Sequence, residues 1–522
     1  MTVFADFDND GVLDALVARN LDYHREGFVD DGTRTGWMRG NGDGTFGPEI
    51  NIITAAPAAT TLCAAVADVD LDGWLDLFLG NSYLAYGSSY EGFPNDLLMQ
   101  AVWPISSSAE TGAGATTRQT WVRRPLPSDG EPFTMDEDLG GRPTYGAIIA
   151  WLDADASAPH LIELSYGRRW NRAWAASGPE DNPTLRWEER ARKLGIDGDE
   201  IRHGRYPEWT KQLFRERFNV EREDEQPFRA NGNTFDASVG DIDNDGDFDL
   251  FITEITHGWA GDSSDRTAFA VNRQAESGEL RFERDPALSV DRVPEDTDRW
   301  NQGDLFSALA DLNHDGHLDL LISSGDYPDD QRLRFYRGTA DGTFVEATSE
   351  VGLDHDGSQQ LSLADFDRDG DLDILVGQTF FRYTTEMREG RQPRMRLFMN
   401  ESPGNRHALV LRFDGRSDLI SVNEDTEPAN RRGLGVIVRM VSRSDDGTEV
   451  VQQRQLVGIG GHAGKQNDFI VHFGLADDQV ADRLEVVWPN EQRTTDVFEQ
   501  VQAGEYLVRI GGGLERVMTR AP

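Results

Sequence analysis

Aspartate residues recur at fixed offsets along this chain. The nine-residue pattern D-x-[DN]-x-D-G-x-φ-D, in which φ is apolar, begins at Asp6, Asp68, Asp241, Asp311 and Asp365. Oxygen atoms at positions 1, 3 and 5 of a tight loop converge on one point, and carboxylates placed there repel one another unless a cation binds. Solvated turn aspartates would be scattered instead of keeping the same offsets in every copy. The pattern therefore predicts metal-binding loops.

Calcium suits these loops best, because it accepts many oxygen ligands in a flexible geometry, whereas magnesium keeps much of its water. A backbone carbonyl at position 7 and the aspartate at position 9 are expected to complete the coordination sphere. We predict about five calcium ions, one for each complete loop. The predicted ligands are Asp6, Asp8, Asp10, Asp14, Asp68, Asp70, Asp72, Asp76, Asp241, Asp243, Asp245, Asp249, Asp311, Asn313, Asp315, Asp319, Asp365, Asp367, Asp369 and Asp373.

A sixth copy of the pattern is incomplete. Aligned from Asp153, it keeps Asp155 two residues later, but the glycine is missing and Leu161 stands at position 9. We expect this copy to bind metal weakly or not at all, unless a local insertion lets Glu163 supply a ligand.

The acidic loops mark a repeated structural unit. A short run of small and apolar residues precedes each loop, and a strand-like run follows it. Glycine turns such as Asn41–Phe46 and Ala340–Phe344 come later in the unit, and turns of this kind between strand-like runs indicate hairpins. Three or four short antiparallel strands, repeated five or six times, predict an all-β fold, a β-propeller of six to seven blades.

Two insertions interrupt the repeats. Residues 84–144 are rich in Gly, Ser, Thr and Pro and are predicted to form long loops. Over about 184–222, apolar residues spaced by three and four predict amphipathic helices at Leu185–Leu194 and Tyr206–Phe218.

A second all-β unit is predicted after the repeats end. Residues 405–511 alternate apolar and polar side chains, which is typical of the strands of a sandwich or small barrel. We therefore divide the chain into a propeller at 1–403 and a C-terminal β domain at 404–522.

The loops resemble the FG-GAP/VCBS repeats of integrin α-chain propellers and of many secreted bacterial proteins, over roughly residues 2–400. The C-terminal part resembles the ASPIC/UnbV domain that follows such repeats in cartilage-acidic-protein-like proteins. Residues 460–468 depart from that domain, because Gly-His-Ala-Gly-Lys-Gln-Asn replaces its usual serine-rich stretch. The resemblance implies an integrin-α-like propeller in a secreted or periplasmic, calcium-stabilised protein. The stretches that carry the second resemblance are Asn430–Gly435, Gly458–Gly460, His472–Leu475 and Val487–Pro489.

The composition limits the partners of the protein. A formal net charge of −42 makes the chain a poor candidate for binding nucleic acid or anionic lipid. No apolar stretch approaches the length of a membrane span, so we expect no membrane insertion. The single cysteine, Cys63, excludes an intramolecular disulfide and cysteine-based zinc or iron–sulfur sites. The residues after Met1 lack the basic region and apolar core of a signal peptide, so a secreted form would have lost its leader.

Polar and aromatic residues just beyond the strand that follows each loop form a second candidate site. Equivalent positions of successive blades fall on one face of a propeller. Aromatic side chains interleaved with acids, His and Arg can bind a polar ligand such as a glycan. The candidates are His24, Tyr83, Arg169, Trp170, Glu254, His257, Trp259 and Asp326.

The sequence leaves the reaction, if there is one, open. It has no nucleophile elbow, phosphate-binding loop, zinc-protease motif or dinucleotide fingerprint. The leading hypothesis is an extracellular calcium-binding propeller that recognises a glycan or protein ligand. The alternatives are a secreted enzyme of the lyase or cyclase type, with its active site on the propeller face, and a purely structural module. A deep pocket with His24 and His257 beside acids would favour the enzyme.

Overall fold

Strands carry almost all of the regular structure of the chain, as the alternation predicts. Among the residues described, no helix combines the length and apolar character that crossing a bilayer requires. The computed structural model describes residues 1–20, 32–52, 60–84, 92–104, 117–124, 142–177, 186–224, 232–292, 300–325, 332–401, 407–416, 428–443, 449–476 and 480–517.

Six groups of antiparallel strands follow one another from Thr2 to Phe398, each hydrogen-bonded in chain order, and two neighbouring groups also pair with each other where Ile255–His257 meets Asn301–Gly303. The first strands of blades 2 to 6 contact one another around a common axis. The described residues thus form a six-bladed β-propeller, within the predicted range. Blade 1 comprises β1 (Thr2–Ala5), β2 (Asp14–Val17), β3 (Gly36–Met38) and β4 (Ile50–Asn51); blade 2, β5 (Thr61–Ala67), β6 (Asp76–Asn81), β7 (Asp96–Pro104) and β8 (Thr117–Arg124); blade 3, β9 (Thr144–Ala150), β10 (His160–Ser165), β11 (Arg172–Ser177) and β12 (Arg186–Glu189); blade 4, β13 (Thr234–Gly240), β14 (Asp249–His257), β15 (Ala268–Asn272) and β16 (Phe282–Arg284); blade 5, β17 (Asn301–Ala310), β18 (Asp319–Ser324), β19 (Arg332–Gly338) and β20 (Phe344–Glu346); and blade 6, β21 (Ser358–Ala364), β22 (Asp373–Gln378) and β23 (Arg396–Phe398).

The second strands of the blades are buried at nearly every position, because most of them lie between two neighbouring blades. In β14, Leu250 and Ile252 pack with Ile162 of blade 3, whereas Phe251 between them packs with Leu320 of blade 5. Burial on both faces explains why these runs lack the apolar–polar alternation of a half-exposed strand.

The C-terminal residues form a two-layer β-sandwich, as predicted. One sheet has the order β29-β24-β32-β33, in which β24 and β32 are parallel, and the other has the order β26-β25-β30-β31. Their facing side chains, among them Phe473 and Trp488, share one core with blades 1 and 2. The strands are β24 (Ala408–Asp414), β25 (Ile437–Arg443), β26 (Glu449–Gln455), β27 (Ile459–His462), β28 (Lys465–Gln466), β29 (Val471–Gly474), β30 (Val480–Val487), β31 (Thr495–Gln502), β32 (Gly504–Arg509) and β33 (Gly513–Arg516).

A hairpin of the C-terminal unit leaves the sandwich and enters the propeller. Its strands β27 and β28 pair with each other, and β27 also pairs with β5 at Ile459↔Val66 and with β9 at Gly461↔Ala147. We call residues 459–468 the axial hairpin. The predicted boundary near residue 403 falls in 402–406, outside the described residues, and stays a prediction.

Two local predictions are wrong. Residues 84–144 are not loop throughout, because β7 and β8 form a long paired hairpin. The predicted helix at Leu185–Leu194 is helical only at its end, in α1 (Ala191–Leu194). Its first half is β12, which pairs with β11 as the outer strand of blade 3 and buries Trp187. The second predicted helix is confirmed. The helices are α1 (Ala191–Leu194), α2 (Glu208–Phe218), α3 (Gln274–Ser277) and α4 (Thr385–Arg388), with 3₁₀ turns at Gly258–Ser263 and Pro286–Leu288.

Candidate functional site

The acidic loops join the first strand of each blade to the second, so all of them lie at one end of the propeller. The residue at position 4 has a left-handed backbone in every complete loop, with φ between 57° and 63°, and the glycine at position 6 has φ between 87° and 102°. A non-glycine residue with positive φ stores strain, so this shared conformation is a specific feature of the loops. By blade number, they are loop 1 (6–14), loop 2 (68–76), loop 3 (151–160), loop 4 (241–249), loop 5 (311–319) and loop 6 (365–373).

The aspartate at position 9 anchors each complete loop to its blade. In loop 2, Asp76 Oδ2 accepts a hydrogen bond from Val69 N (2.8 Å) and Oδ1 accepts one from Gln100 N on the third strand (2.8 Å). The same pair of bonds occurs in the other four loops. This aspartate therefore has a structural role in addition to the ligand role expected from the sequence.

The aspartate at position 1 leaves a buried oxygen facing the loop interior. Asp68 Oδ2 accepts a hydrogen bond from Gly73 N (2.8 Å), whereas Asp68 Oδ1, like Asp6 Oδ1 and Asp241 Oδ2, is buried without a hydrogen-bond partner in the described structure. Burial raises the pKa of Asp241 to about 7 and raises that of Asp68 well above its usual range. An unsatisfied buried oxygen is costly, and a hard cation would satisfy it. The loops therefore fit the calcium ions that the resemblance to FG-GAP/VCBS repeats implies.

The remaining ligand positions support the same conclusion in four loops. In each of these loops, one oxygen from each of three carboxylates lies within 4.8 Å of the others. Loop 5 carries Asn313 in place of one carboxylate, and burial raises the pKa of its Asp319 to about 8. The grouped residues are Asp6, Asp8 and Asp10; Asp68, Asp70 and Asp76; Asp241, Asp243 and Asp249; and Asp365, Asp367 and Asp373.

Loop 1 already contains a cation from its own blade. Arg39 Nε lies 2.6 Å from Asp8 Oδ2, and Arg39 Nη2 lies 2.7 Å from Asp10 Oδ2. The arginine side chain is 57% exposed. An ion in loop 1 would therefore compete with a guanidinium that can swing into solvent.

Loop 3 is aligned differently by the structure than by the sequence. In blade 2, the last residue of the first strand, Ala67, pairs with Asp76, the aspartate of position 9. In blade 3, the equivalent residue, Ala150, pairs with His160. Trp151 thus stands at position 1, and Asp155 N donates to Asp153 Oδ1 (2.9 Å) as position 5 does to position 3 elsewhere. The assignment of Leu161 to position 9 is wrong, because loop 3 begins two residues earlier, at Trp151, and is one residue longer, which puts His160 at position 9. Glu163 lies in β10 and accepts a hydrogen bond from Trp174 Nε1 instead.

The side chain of Arg493 contacts loop 3 and brings a positive charge to it. The guanidinium of Arg493, from the C-terminal unit, lies 3.7 Å from the centre of the Trp151 ring and donates to Ala154 O (2.9 Å). Asp153 and Asp155 stabilise its positive charge, although burial lowers its pKa to about 10. The expectation that this copy binds metal weakly or not at all stays a prediction, and Arg493 supports it.

The C-terminal unit contacts all six loops through their backbone. Each loop offers a carbonyl oxygen that accepts a hydrogen bond from the sandwich. The donor–acceptor pairs are Arg431 Nε–Asn9 O (2.7 Å), Arg416 Nη2–Gly73 O (3.0 Å), Arg493 Nη2–Ala154 O (2.9 Å), Gln453 Nε2–Gly246 O (2.9 Å), Ala476 N–His314 O (2.8 Å) and His472 Nε2–Gly370 O (3.0 Å).

The axial hairpin locks the C-terminal unit into the propeller. Lys465 Nζ lies 2.6 Å from Asp236 Oδ2 and donates to Ser307 O (2.7 Å), all three residues being buried. Gln466 exchanges two hydrogen bonds with the backbone of Phe4 in blade 1. These residues fall where the sequence departs from the serine-rich stretch of the ASPIC/UnbV domain, and the departure was the one signal that could have drawn attention to them.

The predicted ligand-face residues lie at the opposite end of the propeller, which we call the far face. Tyr83, Arg169, Trp170 and Glu254 are buried, whereas His257 and Trp259 are half-buried. His24 and Asp326 lie outside the described residues. The structure does not gather the six described residues into one cluster.

His257 and Trp259 form one part of the far face, beside α2. Their rings stack with centroids 5.3 Å apart, and Thr210 Oγ1 of α2 donates to Trp259 O (2.7 Å). Arg168 lies over the same tryptophan, 5.3 Å from the ring centre. Burial, together with the charge of Arg168, lowers the pKa of His257 to about 3, so this imidazole is neutral at physiological pH.

Glu254 is a buried acid rather than a surface group. Its Oε1 accepts a hydrogen bond from Thr234 Oγ1 (2.8 Å), and a Cβ added to Gly232 would collide with Oε2. Burial, with the nearby charge of Asp265, raises the pKa of Glu254 well above its usual range.

Aromatic rings surround the tip of the axial hairpin where it reaches the far face. The imidazole of His462 stacks on Tyr145 (6.0 Å between centroids) and packs against Phe306 (4.8 Å). Tyr145 also stacks on Tyr166 (4.5 Å), which meets Tyr83 edge-on (5.7 Å). Tyr83 is among the sequence-predicted candidates, whereas Tyr145, Phe306 and His462 are not, because these three come from separate regions of the chain.

Comparison with protein families matches two parts of the chain. The FG-GAP-like repeat matches residues 6–79 and 311–376, which include loops 1, 2, 5 and 6. The ASPIC and UnbV family matches residues 426–510. The chain therefore contains FG-GAP-like repeats and a C-terminal ASPIC/UnbV domain, as the resemblance implies.

Comparison with individual proteins adds little. No curated protein matches the chain. Among solved structures, a GH43_1 enzyme from Xanthomonas citri is 12% identical, with a TM-score of 0.27, over 75% of this chain and 90% of that one. A mutant of the NanB sialidase from Streptococcus pneumoniae is 8% identical, with a TM-score of 0.33, over 77% of this chain and 67% of that one. Likenesses this low carry no conclusion about function.

Proposed function

We propose that this protein is an extracellular calcium-binding β-propeller that recognises a glycan or protein ligand on its far face. One observation carries the proposal: the C-terminal unit contacts all six acidic loops and sends the axial hairpin through the centre. The loop end and the channel are thereby occupied by the chain itself, so the far face is the end that another molecule can approach. The FG-GAP-like repeats, typical of extracellular proteins, support the location.

Calcium would act as a structural cofactor in this protein. The complete loops would hold it through the carboxylates at positions 1, 3, 5 and 9, with the unpartnered oxygens of Asp6, Asp68 and Asp241 among the ligands. When bound, calcium supplies positive charge that fixes the strained loops. Because the sandwich bonds to the same loops, calcium supports the docking of the C-terminal unit as well.

The chemistry of the far face suits binding better than catalysis. Tyr145, Tyr166 and His462 present partly exposed rings at the axis, and His257 with Trp259 adds a second aromatic site. Stacked rings with nearby polar groups are the surface that sugars and peptide side chains prefer. Of the two candidate acids, Glu254 is fully buried, and Asp326 lies outside the described residues.

A glycan array and a set of immobilised extracellular-matrix proteins test the proposal directly. The calcium-loaded full chain should bind at least one member of either set. The variants Tyr145→Ala and Trp259→Ala should weaken that binding by tenfold or more, since an aromatic anchor contributes about 2 kcal/mol at a binding hot spot. Melting with and without chelator shows whether each variant keeps the calcium-dependent fold.

Matched variants elsewhere on the propeller serve as controls. Phe46→Ala and Val345→Ala remove exposed apolar side chains from blades 1 and 5 away from the far face, and we expect binding to be unchanged. The proposal is wrong if the control variants lose binding while both far-face variants keep it.

A further inference from the structure

Blade 6 ends in an open strand edge. The other five blades have four strands each, whereas blade 6 has three, and β23 is its last strand. In the described part of the chain, no strand pairs with the outer side of β23. An unprotected edge presents backbone donors and acceptors that another strand can use.

The backbone of β23 shows which amides face that edge. Asn400 N donates to Asp373 Oδ1 (2.8 Å) and Arg394 N donates to Gln378 Oε1 (3.1 Å), so both amides point toward β22. Amides alternate in direction along a strand. The amides of Met395, Leu397 and Met399 therefore point outward.

The side chains at these three positions are apolar and exposed. Met395 is 73% exposed, Leu397 43% and Met399 41%; Phe381, in the segment that leads from β22 to β23, is 70% exposed. Single exposed apolar residues are ordinary, but a cluster of this kind marks an interaction surface. Methionine adapts its shape to different partners, which suits such a surface.

The chain segment that carries β23 is basic, whereas the protein as a whole is acidic. Residues 379–399 contain five arginines and two glutamates, in a chain whose formal net charge is −42. Arg394 and Arg396 of this segment are exposed. Arg391 pairs with Asp356, and Arg396 Nη1 donates to Asp354 O (3.1 Å), so these two are also held in place.

A cavity of about 660 Å³ lies at the other face of β23, between blades 5 and 6. Leu353, Leu372 and Phe398 line its apolar part, and Met399 stands at its rim. A strand added beside β23 would have its side chains alternate between this cavity and the exposed methionines. The edge, the cavity and the charge thus offer complementary contacts to one extended segment.

We propose that β23 is a docking site for an extended acidic segment of a partner protein, which adds a fourth strand to blade 6. Outward amides of β23 supply the hydrogen bonds, and the cavity and the exposed methionines receive alternate apolar side chains. The arginines select carboxylate-rich partners by charge complementarity. This site is separate from the far face.

A labelled short peptide in which glutamate alternates with leucine tests the site by fluorescence anisotropy against the full calcium-loaded chain. We expect binding, and we expect the double variant Arg394→Glu/Arg396→Glu to weaken it on the order of tenfold. Leu397→Pro should also weaken it, because proline removes an outward amide while leaving the inward bonds of β23 intact. Arg217→Glu, which reverses an exposed charge on α2, is the matched control and should leave binding unchanged.

Two further peptides test each feature of the partner. A peptide with lysine in place of glutamate, and one with alternate N-methylated amides, should both bind poorly. Binding of the lysine peptide as tight as that of the glutamate peptide would refute the charge argument. Absence of binding by the glutamate peptide would show that the arginines only prevent another strand from pairing with the edge. Self-association of the chain that is abolished by Leu397→Pro would show that the edge binds a second copy of the chain instead. Either result overturns the proposal.

Discussion

Loops 2 and 3 occupy equivalent places in neighbouring blades, yet their acidic side chains have different surroundings. Loop 2 has four carboxylates around a point where Asp68 Oδ1 has no described partner. Loop 3 has a tryptophan at position 1, and Arg493 of the C-terminal unit lies over its ring. This place in the blade gathers negative charge, which Arg493 of the protein balances in loop 3 and which the proposed calcium ion would balance in loop 2.

The docking of the C-terminal unit is common to both loops. Arg416 donates to Gly73 O in loop 2, and Arg493 donates to Ala154 O in loop 3. Backbone carbonyls do not depend on the aspartate pattern, so the sandwich contacts a degenerate loop as well as a complete one. The calcium pattern can therefore be lost from one blade without loss of the interface.

The largest expected effect is the removal of all ions. Each site that binds only the folded state stabilises it by about 2.7 kcal/mol at a hundredfold excess of ligand over Kd. We expect EDTA to lower the melting temperature markedly and millimolar calcium to restore it, as measured by differential scanning calorimetry. Magnesium at the same concentration is the control. A melting curve that is the same in EDTA and in calcium would contradict the proposed role of loop 2 and its equivalents.

The second prediction concerns pH in the absence of ions. Burial raises the pKa of Asp241 to about 7 and that of Asp319 to about 8, from an ordinary 3.8. When a carboxyl group has a higher pKa in the folded state than in the unfolded state, its contribution to stability is complete at a pH below the unfolded-state pKa. This contribution is lost as the pH rises through the folded-state pKa. The metal-free protein should therefore lose stability between about pH 4 and pH 8.

Calcium should reverse this trend, because it binds the deprotonated carboxylates. The difference between the melting temperatures in calcium and in EDTA should widen from pH 5 to pH 8. Each unit by which the pKa of a carboxyl group is raised corresponds to about 1.4 kcal/mol of stability lost when that group ionises without an ion. A gap that stays constant over this range would show that the ions and the buried carboxylates are not linked.

Single substitutions compare the two loops directly. Asp68→Asn should remove one bound ion and lower the free energy of unfolding in calcium by about 2–3 kcal/mol. Asp153→Asn in loop 3 should leave the number of bound ions unchanged. Native mass spectrometry counts the ions, and urea denaturation measures the stability. Loss of an ion from the Asp153 variant would mean that loop 3 also binds metal.

The sequence was sufficient to predict the repeats, the complete loops and the two β units, because these features are local. Asp, Gly and the apolar position of each loop recur within nine residues, so the pattern is visible without the fold. The strand-like run after each loop predicted the second strands in the same way. The structural role of Asp76, which accepts a hydrogen bond from Gln100 N in addition to its predicted role as a ligand, could be seen only from the register of β6 and β7.

The features that were missed depend on contacts between distant parts of the chain. Trp151 lies in blade 3 and Arg493 in the C-terminal unit, so no local pattern links the two side chains that meet in loop 3. The axial hairpin is a similar case, because Lys465 meets Asp236 only once the blades have closed around it. Such contacts could not be predicted from the periodicity of the sequence.

A smaller effect is expected from removing the cation that the protein supplies to loop 3. Arg493→Met keeps much of the length of the side chain but removes the contact with the Trp151 ring and the bond to Ala154 O. We expect a loss of about 1–2 kcal/mol in the free energy of unfolding. The loss should be equal in calcium and in EDTA, because no ion is involved. A loss seen only in calcium would show that Arg493 acts through a bound ion.

The smallest expected effect is in loop 1, which has the complete set of carboxylates, like loop 2, and an arginine close to them, like loop 3. Arg39 pairs with Asp8 and Asp10, so an ion must displace it, and the side chain is 57% exposed. Exposed ion pairs contribute about 0.2–1 kcal/mol, so Arg39→Gln should raise the calcium affinity of loop 1 by about two- to fivefold.

Terbium luminescence sensitised by Trp37 can report on this loop, in a background in which Asp68→Asn disables loop 2. Arg443→Gln, an exposed arginine of the sandwich that pairs with Asp482, is the matched control. If Arg39→Gln leaves the affinity unchanged or weakens it, the guanidinium does not compete with the ion, and loop 1 neutralises its charge as loop 2 does.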